Sequence, residues 1–244
     1  MTIFPLLAPD AGEPDYFTLE EALNQAFAEA TEISHGGSVP DLKLINKSVN
    51  KLLAEDGEEL VGAKQNRIVN ATFLIAGQTE VIIPVSCVEQ GRWAYRSQKF
   101  AYGEKVMPPS MRREHQKVVA MSLDERIGYR SNQALILNEL AMKSERMAAH
   151  SATGAMADLF EGQKDRLWEY LKAFRLVDCQ VGAVFAINGV CNQWGGGRPG
   201  VFRLPADLQQ VFPKTGAKLR LGCAGFASGA RQKPGIQRIC KAFP

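Results

Sequence analysis

The sequence predicts a single α+β domain with a hairpin and sheet core packed against about four helices. Apolar residues recur at helical spacing in four stretches, and β-branched runs bounded by Gly-containing turns lie between or after them. The 244 residues, 45% of them hydrophobic, are enough for one sizeable core. Because no internal repeat or clear linker divides the chain, we expect one domain over residues 1–228 and a basic, flexible tail over 229–244.

Four stretches of the sequence predict helices. Thr18 and Glu21 form a capping-box pattern, and the apolar residues that follow at four-residue intervals predict a helix over 19–29. Pro109 suits the first turn of a second helix, which we expect to end near Met121. Residues 132–150 and 156–174 predict two more helices. Their candidate core residues are Leu135, Leu137, Leu140, Met147, Leu159, Phe160, Leu167, Tyr170, Leu171 and Phe174.

The strands are predicted from alternating and β-rich runs. Asp41–Asn46 alternates and predicts a strand. Residues 67–76 and 79–85 are β-rich and flank Gly77 and Gln78, which predicts a hairpin with a tight turn. We expect 96–109 to be irregular. Later strands are expected over 178–187, before an Asn188-Gly189 turn, and near 201–203 and 218–223.

Cysteine and histidine usage gives no sign of a metal site. The five cysteines are widely spaced without a C-x-x-C pair, which argues against a disulfide framework and a structural zinc site. The three histidines stand far apart. The sequence has no apolar run of about 18 residues and no recognisable signal peptide, so we expect a protein of the cytoplasm without a membrane partner.

The charges are unevenly distributed along the chain. Residues 192–244 contain nine Lys or Arg and one acidic residue, which leaves this part at +8 and the preceding body at −5. Such a basic region can bind anions, including nucleic acid, or can be a solvated flank. The Gly-rich run 195–200 can likewise cradle an anion or form a flexible turn.

Polar residues are densest in two motifs on either side of the predicted hairpin. The first, G-E-E-L-V-G-A-K-Q-N-R-I-V-N, covers 57–70, and the second, P-V-S-C-V-E-Q-G-R-W, covers 84–93. Since the two outer ends of a hairpin lie side by side, we expect the motifs to meet in space. The candidate catalytic residues are Glu58, Glu59, Lys64, Cys87 and Glu89, and the candidate ligand-binding residues are Gln65, Asn66, Arg67, Asn70, Gln90, Arg92 and Trp93.

Each residue type suits a step in small-molecule binding or chemistry. The Lys and Arg side chains can clamp a phosphate or carboxylate, and a glutamate whose pKa is raised by burial can transfer a proton. Cys87 can be a nucleophile where basic neighbours lower its pKa, and Trp93 can stack on a base or sugar.

A structural alternative accompanies each of these roles. Cys87 follows an apolar strand and can be an inert core residue. Lys64 can form a surface ion pair with the nearby glutamates. Glu89 and Arg92, three residues apart, can pair with each other, and Trp93 can belong to the core.

The two motifs resemble the ADP-ribosylglycohydrolase- and rhodanese-phosphatase-associated protein domain, the ARPP domain. G-E-E-L-x-G-A-K-Q-N-R-x-x-N and I-P-V-S-C-V-E-Q-G-R-W carry the resemblance, and Gln180 to Val184 resembles a late strand of that family. The similarity extends over about residues 16–202. It implies a mixed α/β fold and suspected catalytic positions at Glu58, Glu59, Lys64, Cys87 and Glu89.

Three functions follow from the motifs and the resemblance. The first is an enzyme that acts on an ADP-ribose-type or NAD-derived nucleotide or adduct. The second is a non-catalytic module that binds such a nucleotide through the same residues. The third is nucleic-acid binding through the basic C-terminal region. The sequence determines neither a cofactor nor the reaction.

Overall fold

Six strands of the computed structural model close into a barrel. The structure describes residues 2–7, 15–34, 36–173, 180–187 and 190–192. Their strands are β1 (Thr2–Leu7), β2 (Tyr16–Thr18), β3 (Ala28–Glu32), β4 (Asp41–Asn46), β5 (Lys51–Ala54), β6 (Glu58–Gly62), β7 (Arg67–Val69), β8 (Phe73–Ile75), β9 (Thr79–Cys87), β10 (Lys99–Val106), β11 (Gln180–Ile187) and β12 (Val190–Asn192). The barrel order is β10-β3-β4-β9-β7-β6.

Two small sheets and five helices complete the described part of the chain. The sheets have the orders β2-β5-β8 and β1-β11-β12. The helices are α1 (Leu19–Asn24), α2 (Pro109–Asp124), α3 (Gln133–Arg146), α4 (Met156–Glu161) and α5 (Lys164–Ala173). This architecture confirms the predicted α+β class. In the part of the chain that the structure describes, no helix is long and apolar enough to cross a membrane.

Side chains alternate between two hydrophobic clusters along the barrel strands. Leu42, Leu44 and Val69 belong to a cluster that fills the barrel. Ile68, next to Val69 on β7, belongs instead to a cluster formed with α2, α3 and α4. Because successive side chains of a strand point to opposite faces, the inward face of β7 carries Arg67 and Val69. A charged residue is therefore directed into the barrel.

The predicted hairpin is half correct. β7 and β9 pair antiparallel, with Arg67 opposite Cys87, as the prediction requires. Gly77 and Gln78 form a turn as predicted, but this turn does not join two paired strands, because β8 lies between β7 and β9 and pairs with β5 in another sheet. Gly77 and Gln78 pack on a neighbouring loop, where Gln78 N donates to Ser48 O at 2.8 Å. The two strands are thus joined through a longer excursion, and their outer ends still meet.

The first predicted helix is too long. Thr18 Oγ1 accepts from Glu21 N at 3.2 Å and Thr18 N donates to Glu21 Oε2 at 3.0 Å, which confirms the capping box. The helix ends at Asn24, and Ala26 adopts a left-handed backbone with φ 59°. The chain then turns into β3, where Ala28 and Ala30 are buried against the barrel interior. Barrel pairing therefore overrides the helical spacing of 25–29.

Other differences lie in the second half of the chain. The segment expected to be irregular contains β10, and the helix expected over 156–174 is two helices, α4 and α5, separated near Gly162. Leu135 is 49% exposed rather than part of the core, whereas Leu140 is buried. The predictions for 109–121 and 132–150 are confirmed by α2 and α3. The strand expected over 178–187 is confirmed by β11, whereas the Asn188-Gly189 turn, the glycine run, the strands near 201–203 and 218–223 and the basic tail lie outside the described residues.

Candidate functional site

The two polar motifs meet at one end of the barrel. The connection between β6 and β7, residues 63–66, lies beside the segment after β9, residues 88–98. Val88 N donates to Asn66 O at 3.1 Å, and Arg96 N donates to Ala63 O at 3.0 Å. These backbone hydrogen bonds follow the pairing of Arg67 with Cys87. The predicted proximity of the motifs is therefore confirmed.

Arg67 is the central residue of this end of the barrel. Its side chain is fully buried, and Nη1 donates to Gln65 Oε1 at 2.9 Å. Among the residues that the structure describes, none accepts a hydrogen bond from its Nε or Nη2. Burial lowers the pKa of the guanidinium, and the charges of Cys87 and Glu32 act in the opposite direction. The result is a buried cation with two free donors.

Two other buried arginines show what the Nε and Nη2 edge of a guanidinium binds in this protein. Arg92 donates from Nε and Nη2 to the two oxygens of Glu89 at 3.0 and 2.6 Å. Arg112 donates from the same two atoms to the two oxygens of Asp56 at 2.7 and 2.5 Å. Nε–H and Nη2–H point in parallel and match the two oxygens of a carboxylate or phosphate. No described carboxylate binds this edge of Arg67, whose neighbour is the thiol of Cys87.

A half-exposed aromatic residue covers Arg67. The Trp93 ring lies 5.7 Å from Cζ of Arg67 and 5.1 Å from Nζ of Lys64. Lys64 Nζ is also 5.2 Å from the Tyr95 ring and donates to Gly36 O at 2.6 Å. Trp93 is 48% exposed, so the alternative that it belongs to the core is wrong. Within the described ranges, Lys64 forms no ion pair with a glutamate.

Cys87 lies beside Arg67 as a buried thiol. It is 3% exposed, and Sγ donates to Gln65 Oε1 at 3.2 Å or to Glu89 O at 3.1 Å. Burial raises the pKa of the Cys87 thiol, although a hydrogen bond involving Glu89 and the charge of Arg67 oppose this effect. The protonated thiol therefore predominates at neutral pH, and its environment resembles that of an inert core cysteine.

Glu89 and Arg92 form a buried ion pair, which confirms the structural alternative for these residues. Glu89 also accepts from Asn66 N at 3.0 Å and from Thr153 Oγ1 at 2.9 Å. Burial alone would raise the pKa of Glu89, but the hydrogen bonds from Arg92, Asn66 and Thr153 hold it below its usual value. Arg92 further donates to Ala63 O and Ala94 O. The pair thus fixes the two segments that surround Arg67.

Glu59 occupies the opposite face of the barrel wall from Arg67. It pairs with the outward-facing Ile68 and is fully buried. Asn66 Nδ2 donates to its Oε1 at 3.3 Å, and no described group hydrogen-bonds to Oε2. Burial raises the pKa of the Glu59 carboxyl to about 8. This group therefore holds a proton at neutral pH.

Three of the candidate residues lie away from Arg67. Glu58 Oε2 accepts from Glu55 N at 2.7 Å and closes the turn before β6. Asn70 accepts from Ser86 Oγ at 2.7 Å on the face that packs against the helices. Gln90 is exposed and lines a cavity of about 500 Å³ beside α3. None of these three residues therefore lies at the end of the barrel where Trp93 covers Arg67.

Glu32 belongs to the same end of the barrel and was missed at the sequence level. It lies at the end of β3, is 9% exposed, and shares the inward face with Ala28 and Ala30. Ser38 N donates to its Oε2 at 3.4 Å, and no described group donates to Oε1. The period-2 pattern of A-E-A-T-E could have indicated it, but the helical interpretation of 19–29 concealed that pattern.

A second polar network was also missed and joins the barrel to α2. Asp56 accepts from Arg112, from Gln116 Nε2 at 2.5 Å and from Thr72 Oγ1 at 3.2 Å. Nearby, burial lowers the pKa of His115 to about 4. Asp56 and its three partners join the barrel to α2, and His115 adds a contact from α2 to Asn70. Over the described ranges, no group of three or more His, Cys, Asp or Glu is placed to hold a metal ion.

Comparison with known proteins gives one match. The family model of the ARG and Rhodanese-Phosphatase-superfamily-associated Protein domain, ARPP-1, matches residues 1–194. This range contains both polar motifs and all described strands and helices. No curated protein and no solved structure matches the chain.

Proposed function

Since the chain belongs to the ARPP-1 family, we propose that the Arg67 end of its barrel binds an ADP-ribose-type or NAD-derived nucleotide. The family is named for its association with the ADP-ribosylglycohydrolase and rhodanese-phosphatase superfamilies, which handle ADP-ribose and phosphate groups. Arg67 binds a phosphate of this nucleotide through Nε and Nη2. Lys64 supplies a second positive charge, and Trp93 packs against the ligand.

The free donor edge of Arg67 is the observation that carries this proposal. A buried donor without a hydrogen bond costs about 1–3 kcal/mol, and more when it is charged. Arg92 and Arg112 avoid this cost by binding carboxylates in the protein. A phosphate bound to Arg67 removes it through two parallel charge-assisted hydrogen bonds. The anion therefore supplies what the described side chains do not.

Lys64 and Trp93 extend the site toward solvent. Lys64 is only partly buried, and its ammonium group is close to two aromatic rings. A lysine at this position is a flexible point charge that suits a second phosphate. The half-exposed Trp93 offers a flat apolar surface for an adenine base. Together the three residues match a ligand with a phosphate end and an aromatic end.

The binding proposal is tested with Arg67→Met, which keeps a flexible, unbranched side chain and removes its charge. We expect ADP-ribose or NAD to raise the melting temperature of the wild-type protein, because a ligand that binds only the folded state stabilises it. Arg67→Met should lose at least about tenfold in affinity, which corresponds to roughly 1.4 kcal/mol. Calorimetric titration measures this loss directly.

Arg113→Met is the matched control, because Arg113 is an exposed arginine on α2. It should bind the nucleotides as the wild type does. Equal affinity in Arg67→Met and Arg113→Met contradicts a phosphate at Arg67. The absence of binding of ADP-ribose, NAD, ADP and ribose 5-phosphate to the wild type contradicts the nucleotide proposal as a whole.

A hydrolase or transferase that acts on the same nucleotide is the second candidate. The association of the family, by its name, with ADP-ribosylglycohydrolases favours it. Product analysis after prolonged incubation with ADP-ribose and NAD separates the candidates. Turnover that is lost in Arg67→Met supports the enzyme, whereas unchanged ligand supports a binding module.

A further inference from the structure

Glu32 places a buried carboxylate inside the same end of the barrel as Arg67. It stands opposite Leu42 of β4, which in turn pairs with Ile83 of β9. The side chain is 9% exposed and Oε1 has no hydrogen-bond partner among the described residues. Its charge is close enough to raise the pKa of Arg67, against the larger lowering by burial. Two buried opposite charges therefore face one interior.

These two charges do not form an ion pair with each other. In the described part of the chain, no oxygen of Glu32 lies within 4.0 Å of a nitrogen of Arg67, the distance that defines an ion pair. Each nevertheless has free hydrogen-bonding atoms, Oε1 on Glu32 and both Nε and Nη2 on Arg67. Buried charges are stable only when they are paired and hydrogen-bonded. A ligand group that lies between the two side chains can hydrogen-bond to the free atoms of both.

Glu32, Lys64 and Trp93 all approach one glycine of the loop above Glu32. Gly37 has φ +78°, and a Cβ added there would lie 3.1 Å from Cδ of Lys64 and 3.4 Å from Oε2 of Glu32. The same Cβ would lie 3.5 Å from Cζ2 of Trp93. The backbone of this loop thus packs directly on the side chains that surround the interior. Glu32, Lys64 and the exposed Trp93 therefore border the same end of the barrel.

We propose that Glu32 binds the hydroxyl groups of a ribose whose phosphate is held by Arg67, so that the site selects a ribose phosphate rather than a phosphate alone. This inference rests on the proposed function and names the part of the nucleotide that the barrel encloses. A carboxylate only accepts hydrogen bonds, and its two oxygens match two vicinal hydroxyl groups. The same charge repels a second phosphate, which gives the ligand one orientation.

Calorimetric titration with three probes tests the assignment. Ribose 5-phosphate carries the phosphate and the vicinal hydroxyl groups, 2-deoxyribose 5-phosphate lacks that pair, and inorganic phosphate lacks the sugar. We expect the wild-type protein to bind ribose 5-phosphate most tightly. Glu32→Leu should weaken ribose 5-phosphate by about 10- to 100-fold, because hydrogen bonds to a charged group are lost, and should leave phosphate unchanged or tighter.

Variant stability separates a ligand-binding carboxylate from a structural one. Replacing a buried charge that lacks a partner by an apolar residue of similar size should maintain or raise the melting temperature. Glu32→Gln, which keeps the shape, provides a second variant, with a smaller loss of ribose 5-phosphate binding in the same direction. Glu29→Gln on the same strand is the control, since Glu29 pairs with Lys47 and Lys99 and should leave all three affinities unchanged.

The outcomes distinguish this inference from the proposed function. If phosphate binds through Arg67 but the wild type does not prefer ribose 5-phosphate, the assignment of Glu32 is overturned and the phosphate site stands. Equal weakening of all three probes in both Glu32 variants also overturns it, because a general loss of structure explains that result. If no probe binds the wild type, both the phosphate site and the role of Glu32 are overturned.

Discussion

Arg67 and Glu32 differ from the buried residues Glu89, Arg92 and Asp56 in what their hydrogen-bonding atoms contact. Glu89, Arg92 and Asp56 are each bound by complementary groups of the chain, so their charges serve the fold. Arg67 and Glu32 keep free atoms at one end of the barrel. Because an unpaired buried charge destabilises a protein, these free atoms support the proposed ligand site.

Glu59 leads to a prediction about pH at the residue scale. Burial raises its pKa from 4.5 to about 8, so the folded state binds a proton that the unfolded state has released. Stability from this group is fully present below pH 4.5 and is lost as the pH rises through about 8. His115, with a pKa lowered from 6.5 to about 4, has the opposite effect between those values. The decrease should therefore be clearest above pH 6.5.

Urea unfolding between pH 6.5 and 8 measures this effect. The free energy of unfolding of the wild type should fall by up to about 1.4 kcal/mol per pH unit. Glu59→Gln, which imitates the protonated carboxyl, should show a much flatter dependence. The same slope in both proteins would assign the decrease to another group.

At the scale of elements, the segment after β9 is held by hydrogen bonds and by the ion pairs of Glu89 with Arg92 and Arg96 rather than by regular secondary structure. Residues 93–99 are exposed, yet Arg92 ties this segment to Glu89 and to the carbonyl oxygens of Gly62 and Ala63. Gly91 N also donates to Thr153 O at 2.7 Å, which joins the segment to the turn before α4. The position of Trp93 over Arg67 depends on these bonds.

We expect Glu89→Gln to destabilise the protein by about 3–5 kcal/mol, because it leaves the buried Arg92 without its counter-charge. Limited proteolysis should then cut within 93–98 faster than in the wild type. Glu114→Gln is the control: Glu114 pairs with Lys117 at the same sequence spacing but on the surface, where an ion pair contributes less than about 1 kcal/mol. The double variant Glu89→Gln, Arg92→Met should recover part of the stability, and no recovery would contradict a pairwise origin.

At the scale of the whole molecule, β7 connects the two hydrophobic clusters. Val69 packs inside the barrel while Ile68 packs against the helices, so the strand that carries Arg67 is fixed from both faces. Gln133, in the first turn of α3, exchanges hydrogen bonds with the backbone of Cys87 at 2.8 and 2.7 Å. The helical layer thereby sets the position of the strands at the site, although it contributes no residue beside Arg67.

The pair formed by Asp56 and Arg112 is the main polar link between the barrel and α2. Arg112→Met should reduce the free energy of unfolding by about 3–5 kcal/mol, because Asp56 is then buried without its cation. Arg113→Met, on the exposed side of the same helix, should change it by less than about 0.5 kcal/mol. If chemical denaturation gives the same loss for Arg112→Met and Arg113→Met, the buried pair does not stabilise the contact between the barrel and α2.

Part of this structure was predictable because it rests on local chemistry. The capping box at Thr18, the helix beginning at Pro109 and the strand Asp41–Asn46 each depend on neighbours in sequence. The strand β3 was not predictable in this way. Its apolar residues continue the helical spacing of the preceding helix. They form a strand because they pair with β4 and β10.

The sequence by itself determined that the two polar motifs lie close together, because they flank two strands that pair with each other. It also determined the family. The tertiary structure decided their separate roles, because burial and pairing depend on contacts between distant segments. It showed Glu89 bound to Arg92 and Arg67 bound to no described carboxylate, and it brought Glu32 from a distant strand to the same interior. Which buried charges form ion pairs depends on contacts between segments that are distant in sequence, and these contacts exist only in the folded barrel.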